Sequence, residues 1–285
     1  TSQDRLYTLR HSKNVYCVSD YAAEALRKYV KHKITVVHNC VEDETEMAVS
    51  YEPPKGRKIR FVQFGTMEYR KGYDVLIAAY ELMPKGYQDK TELFFAGGFI
   101  NSGTSYCAYL FEKIRKYNNI HYLGIVKGEK NKIEILSQMD VVVVASRDES
   151  CSLVALEGAM LSKPLIVTEN VGAKYIVNDK NGIIVKTGNV KSLSDALMEM
   201  IDRQSDLENM GRESRSNYLK YASMDSYTND MKTLYNRVDE KKMRSSLVKS
   251  LPYAIRFNTK RILFNQNIIE NTKKYVPKKH ENVIV

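Results

Sequence analysis

Residues 140–172, DVVVVASRDESCSLVALEGAMLSKPLIVTENVG, constrain this chain more than any other stretch. Four consecutive valines, Val141 to Val144, form a β-branched apolar run that suits a strand buried on both faces, as in parallel sheets covered by helices. Polar residues 146–150 follow at once. The spacing then turns helical, with Leu153, Leu156 and Met160 on one face, and Lys163-Pro164 closes the helix before a second apolar run over 165–167. This spacing predicts strand, loop, helix, strand.

Two carboxylates in this stretch need an explanation. Glu149 falls in the loop at the carboxyl end of the valine strand, where open parallel sheets bind ligands. Glu157, at about 100° per residue, falls within an apolar arc, between Leu153 and Met160 on one side and Val154 and Leu161 on the other. A buried carboxylate there must be paired or hydrogen-bonded. Bonding to nearby backbone amides would satisfy Glu157 without any ligand. Yet Ser150, Cys151 and Ser152 lead into a helix whose first amides, at Ser152, Leu153 and Val154, lack intrahelical acceptors and favour an anion. A phosphate fits there, with Glu157 one turn inside for the hydroxyls of an attached ribose.

Elsewhere strands and helices alternate. Strands are predicted over 14–19, 34–37, 59–64, 93–96, 120–123 and 183–185, with helices over 21–30, 106–117, 130–139, 190–201 and 207–221 and a last one to about Val238. Such βαβα order predicts an α/β fold with a doubly wound, Rossmann-like parallel sheet. Residues 42–57 are polar with Pro53-Pro54 and read as a linker. Gly65 ends the strand over 59–64, a loop follows from Thr66, and Lys71-Gly72 opens a helix. Arg70 and Lys71 therefore stand on the same sheet edge as Glu149, where two cations suit a diphosphate. Solvated surface charge is the plain alternative for both. Gly97-Gly98 admits close backbone approach or a simple turn.

Two Glu with seven residues between them, in a strand, loop and helix followed by Lys163-Pro164-Leu165-Ile166-Val167-Thr168, resemble the signature of retaining GT-B glycosyltransferases of family 4. The resemblance runs from about Val15 to Arg237. It implies that residues 1–50 end the acceptor-side domain and hinge, 51–222 form the nucleotide-sugar domain, 223–238 a crossing helix, and 239–285 a tail outside the family. It also implies that Glu149 contacts the donor sugar, Glu157 the ribose, and the intervening amides the diphosphate. Gly65, Thr66, Arg70 and Lys71 would hold the leaving group, and Ile125 and Val126 after Gly124 would meet the base. The chain departs from the family pattern in four places, one of them Ala173, which follows Gly172 where relatives have paired Gly. Cys40 stands in place of the hinge Gly, Thr66 in place of a frequent Arg, and Tyr175 in place of a frequent Glu.

The implied activity is transfer of a hexosyl group, with retention, from a nucleotide-diphosphate sugar to a glycan or lipid-linked acceptor, in cell-surface polysaccharide or glycoconjugate synthesis. The competing class is a non-catalytic nucleotide-sugar-binding module of a larger synthase. No cofactor and no metal are expected. Cys17, Cys40, Cys107 and Cys151 show neither metal-ligand spacing nor a paired framework, which fits a reducing cytoplasm. Of the formal charge of +10, residues 239–285 carry +7, from 11 Lys and Arg against 4 Asp and Glu, leaving +3 for the rest. Basic and apolar residues interleave in that tail, which suits an anionic membrane surface, and hence a peripheral position on the inner face of the cell membrane. Docking on another domain or a disordered end accounts for it equally. No aromatic platform accompanies the charge, so nucleic acid is not an expected partner. The start, TSQDRLYTLR, has neither a methionine nor a signal-like apolar region and reads as that of a fragment.

Overall fold

The computed structural model describes residues 3–12, 15–31, 33–99 and 105–236. The amphipathic tail over 239–285 lies outside the described residues. The chain opens with α1 (Gln3–His11), β1 (Val15–Cys17), α2 (Asp20–Arg27) and β2 (Ile34–Val36), β1 pairing β2 in parallel. From Ile59 the alternation is β3 (Ile59–Phe64), α3 (Tyr73–Leu82), α4 (Lys85–Gln88), β4 (Thr91–Ala96), α5 (Ser105–Lys116), β5 (Ile120–Gly124) and α6 (Glu129–Ser137). Then come β6 (Val141–Val144), α7 (Leu153–Met160), β7 (Leu165–Thr168), β8 (Gly182–Val185), α8 (Val190–Asp202), α9 (Leu207–Tyr221) and α10 (Met224–Asn236).

Strands β3 to β8 form one six-stranded sheet in the order β5-β4-β3-β6-β7-β8, all pairs parallel. This is the doubly wound order, and it reverses between β3 and β6. The loops leaving those two strands therefore flank the crevice where such sheets take ligands. The valine run explains itself here. Successive side chains of a strand point to opposite faces, so Val141 and Val143 enter one apolar cluster with Phe61, Leu76 and Leu197, while Val142 and Val144 enter the other with Leu156, Met160 and Tyr218. All four are buried, and a polar residue at any of them would lose a partner on one side or the other.

The structure differs from the sequence-based expectation in several places. Helices α1 and α4 were not predicted, and α3 begins at Tyr73, after a 3-10 turn over Tyr69–Lys71, because Gly72 takes a left-handed φ of 69°. Leu153 shares the face of Met160 but is not buried. It is 49% exposed at the first position of the helix, while Leu156 and Met160, further in, are buried as expected.

The supposed linker is also no free connector. Asp140, fully buried at the start of β6, accepts hydrogen bonds from Tyr51 Oη at 2.8 Å, from Arg57 Nη1 and Nη2 at 2.6 and 2.8 Å, and from the backbone N–H of Arg60 at 2.7 Å. Val49 N–H donates to Ser137 Oγ at 3.2 Å, and the 3-10 turn over Thr45–Met47 packs on α6. Polar composition concealed the strap because its anchors are polar themselves.

Beneath the strap lies Lys163. Its Nζ donates to Ser137 O at 2.6 Å and sits 3.5 Å from the centroid of the Tyr51 ring. Burial pushes its pKa down to about 7, against an ordinary 10.5. An amine whose pKa is depressed on folding gives up protons as the chain folds, so its contribution to stability grows as pH rises from about 7 to about 10.5 and is lost as pH falls through 7. Urea denaturation across that window is expected to show this rise in the wild-type chain and not in Lys163→Met. Parallel profiles would show that the amine stays charged in the fold.

Candidate functional site

The loop after β3 and the loop after β6 are sewn together by backbone. Arg147 N–H donates to Arg70 O at 2.7 Å, Gln63 Nε2 donates to Lys71 O at 2.7 Å, and Gln63 Oε1 accepts from Ala145 N–H at 3.3 Å. Gln63 is the one polar residue of β3 that is fully buried, and these two bonds satisfy both ends of its amide. At Gly72 an added Cβ would overlap the carbonyl oxygen of Ala145, so only glycine lets the two loops lie this close. Gly97 plays the same part between β3 and β4. At φ 145° its Cα faces Gly65 O, and any side chain would overlap that oxygen. The Gly97-Gly98 pair is thus a close backbone crossing as well as a turn.

That stitching brings together Lys71, Arg70 and Glu149. Lys71 Nζ and Glu149 Oε2 form an ion pair, and Arg70 Nη1 reaches the same oxygen at 3.1 Å and Asp148 O at 2.9 Å. Arg70 Nη2 also holds Glu68 Oε1 at 2.7 Å. Burial alone would lower the pKa of the Arg70 guanidinium, but Glu149 and Glu68 hold it above its ordinary value. The Lys71 and Glu149 side chains are only 18% and 12% exposed, so this pair is screened less than a surface one.

Helix α7 starts beside this cluster. Ser152 is its N-cap residue but makes no side-chain cap, and among the described residues the N–H groups of Leu153 and Val154 have no acceptor. They form an uncapped positive helix end of the kind that receives anions. Ser150 and Cys151 precede it. The Ser150 carbonyl accepts from Ser19 Oγ at 2.6 Å, and burial raises the Cys151 thiol to about 11, which keeps it protonated and unreactive.

Glu157 is not part of the Lys71 cluster. It is 7% exposed, and Lys132 Nζ of α6, which also pairs with Glu129 at 2.5 Å, donates to its Oε1 at 2.8 Å. Burial raises its pKa, with Lys132 pulling the other way. A lysine side chain, not backbone amides, is thus the partner that its burial demanded. Lys132 carries no sequence signal that distinguishes it from Lys130, the other lysine of α6. Ile125, 67% exposed, lies against Gly98, with Val126 next in the loop after β5. Gly65 and Thr66 lie at the end of β3, where Gly65 O accepts from Tyr73 Oη at 2.7 Å.

Two departures from the family pattern have structural consequences. Tyr175 stacks on His38, ring centroids 3.8 Å apart and 18° from parallel, and donates to Asn39 O at 3.2 Å. His38 therefore packs, and Tyr175 ties the segment after β7 to the segment after β2. Cys40 Sγ lies 3.3 Å from Met224 Sδ at the start of α10.

The doubly wound parallel sheet is that of a GT-B fold, as its likeness to solved glycosyltransferases shows. In fold the chain is similar to Anabaena HepE solved in complex with UDP, with a TM-score of 0.70 and 15% identity, covering 84% of this chain and 69% of that one. The glycosyl transferases group 1 family matches residues 44–217, and the chain belongs to that family. It is 27% identical over 223 residues to an uncharacterised glycosyltransferase of Methanocaldococcus jannaschii, covering 76% of this chain. It is also 27% identical over 188 residues to a glycogen synthase of Mycobacterium tuberculosis, covering 64% of this chain. The chain spans 57% and 43% of the lengths of those two relatives. Among the described residues no helix is long and apolar enough to cross a membrane.

Proposed function

We propose that this chain carries the donor-binding half of a glycosyltransferase that moves a hexosyl group, with retention at the anomeric carbon, from a nucleotide-diphosphate sugar to an acceptor hydroxyl. The observation that carries this reading is the convergence of Lys71, Arg70 and Glu149 at the sheet's switch point, beside the uncapped start of α7. In the transfer the bond from the anomeric carbon to the diphosphate oxygen breaks and a bond to the acceptor oxygen forms, the hydroxyl proton passing to the departing diphosphate. Negative charge therefore grows on the diphosphate. Lys71, Arg70 and the amides of Leu153 and Val154 are fixed in advance to receive it, without a metal or other cofactor. Glu149 orients the sugar, Glu157 takes the ribose hydroxyls, Ile125 and Val126 meet the base, and Gly65, Thr66, Ser150, Cys151 and Ser152 line the path between.

The relatives' names support the substrate class: the fold neighbour holds UDP, and one relative builds glycogen. We place the acceptor among glycans or lipid-linked precursors of surface polysaccharide, at the cytoplasmic side of a membrane. A panel of nucleotide sugars tested by thermal shift is expected to give at least one that raises Tm, through binding to the folded state alone. Single-turnover assay of that donor then separates a transferase, which cleaves it, from a module that only holds it. If no member of the panel shifts Tm, the donor-site reading is wrong.

A further inference from the structure

We infer that Arg147 is the positioning residue that fixes where Lys71 and Arg70 stand, by clamping the loop after β3 to the loop after β6. Two terminal nitrogens reach three oxygens. Nη1 donates to Tyr69 O at 2.6 Å and to Asp74 Oδ1 at 2.9 Å, and Nη2 donates to Asp74 Oδ2 at 2.6 Å. The guanidinium lies 3.8 Å from the centroid of the Tyr69 ring, and the Arg147 backbone N–H holds Arg70 O. The carbonyls immediately before Arg70 and Lys71 are thus both held by one residue, which itself stands two positions before Glu149.

The clamp has its own anchor. Asp74 lies in the first turn of α3, and Tyr106 Oη donates to its Oδ1 at 2.9 Å. Burial would raise the Asp74 carboxyl, but Arg147 and Tyr106 hold it below its ordinary value, so it remains a carboxylate. Among the described residues the polar partners of the Arg147 side chain are Tyr69 O and Asp74, and not the side chains of Lys71, Arg70 or Glu149, so it acts through the backbone that carries them. The geometry also requires arginine. A planar fork can bracket a carboxylate, reach a carbonyl and stack on a ring at once, whereas an ammonium presents one point of charge.

That the positioned cations serve a diphosphate rests on the proposed function, but their placement by Arg147 does not. Amide hydrogen exchange on the full chain tests the placement. Lys71 N–H bonds to Glu68 O at 2.9 Å and Gly72 N–H to Tyr69 O at 3.2 Å, so both report on the clamped turn. In Arg147→Lys these two amides are expected to exchange about tenfold faster or more, while those of β3 and β6 keep their rates. Asp74→Asn is expected to reproduce the change, and the double variant to exceed neither single one, because Asp74 acts through Arg147. Inorganic pyrophosphate, titrated by calorimetry, is expected to bind the wild-type chain and to bind Arg147→Lys about tenfold more weakly. Unchanged exchange at Lys71 and Gly72, or a rise spread evenly over the sheet, would overturn the assignment. A wild-type chain that takes no pyrophosphate would instead count against the diphosphate reading and leave the exchange result to decide on Arg147.

Discussion

If the chain carries out the proposed transfer, replacing Lys71 with alanine is expected to lower its rate by about 10²–10³-fold, the usual cost of removing one preorganised group that meets charge developing in a transition state. The effect is large because Lys71 cannot be replaced locally. It is only 18% exposed and stands on a turn whose carbonyl is held by Gln63, so its ammonium is fixed in place and little screened by solvent. Arg70 remains in the variant, but it is already divided between Glu149, Glu68 and Asp148 O. Glu149 loses its nearer cation, and the site becomes more negative where the proposed diphosphate would lie. Weaker donor binding by calorimetry should therefore accompany the loss of rate. An alanine variant that bound and turned over the donor like the unmodified chain would show that Lys71 is a structural partner of Glu149 and nothing more.

The largest expected effect on stability is at Asp140. Asp140→Ala is expected to cost about 3 kcal/mol, the low end of the range for deleting one partner of a buried ion pair, because Arg57 is 25% exposed and keeps its bonds to Lys58 O and Glu52 O. Four hydrogen bonds converge on this carboxylate, and none of the donors has a substitute acceptor of equal charge. Tyr51 and Arg57 would then be free to leave, which would open the cover over Lys163. Since a domain of this size has about 5–15 kcal/mol in total, such a loss is a large share of it. Urea denaturation measures it directly. A loss below about 1 kcal/mol would mean that the strap over residues 48–57 contributes little to the fold.

The fold was legible because its signals are local. A run of valines flanked by turn residues, and apolar periodicities of two kinds in alternation, leave few arrangements other than a doubly wound sheet. The sheet edge carrying Lys71, Arg70 and Glu149 was legible for the same reason, since loops that follow parallel strands share one edge. What could not be read was pairing at a distance. Arg147 and Asp74 are 73 positions apart, Lys132 and Glu157 are 25 apart, and neither pair is set by any periodicity. Leu153 misled because helical spacing gives a direction around the axis but not whether the first turn is covered. The strap over Asp140 was missed because composition reports how polar a segment is, and these polar groups find their partners inside the protein.

One contact joins the segment upstream of the strap to the acidic loop. Ser19 caps α2, accepting from Ala22 N–H, and donates its hydroxyl to Ser150 O, while Gly172 packs so tightly against both serines that a side chain there would strike each of them. Tyr21 Oη adds a bond to Asp148 at 2.8 Å. The peptide that leads from Glu149 into α7 is therefore shared property. If the strand pair β1–β2 shifts against the sheet, these bonds break and the turn into α7 loses its support, so the two movements become a single event.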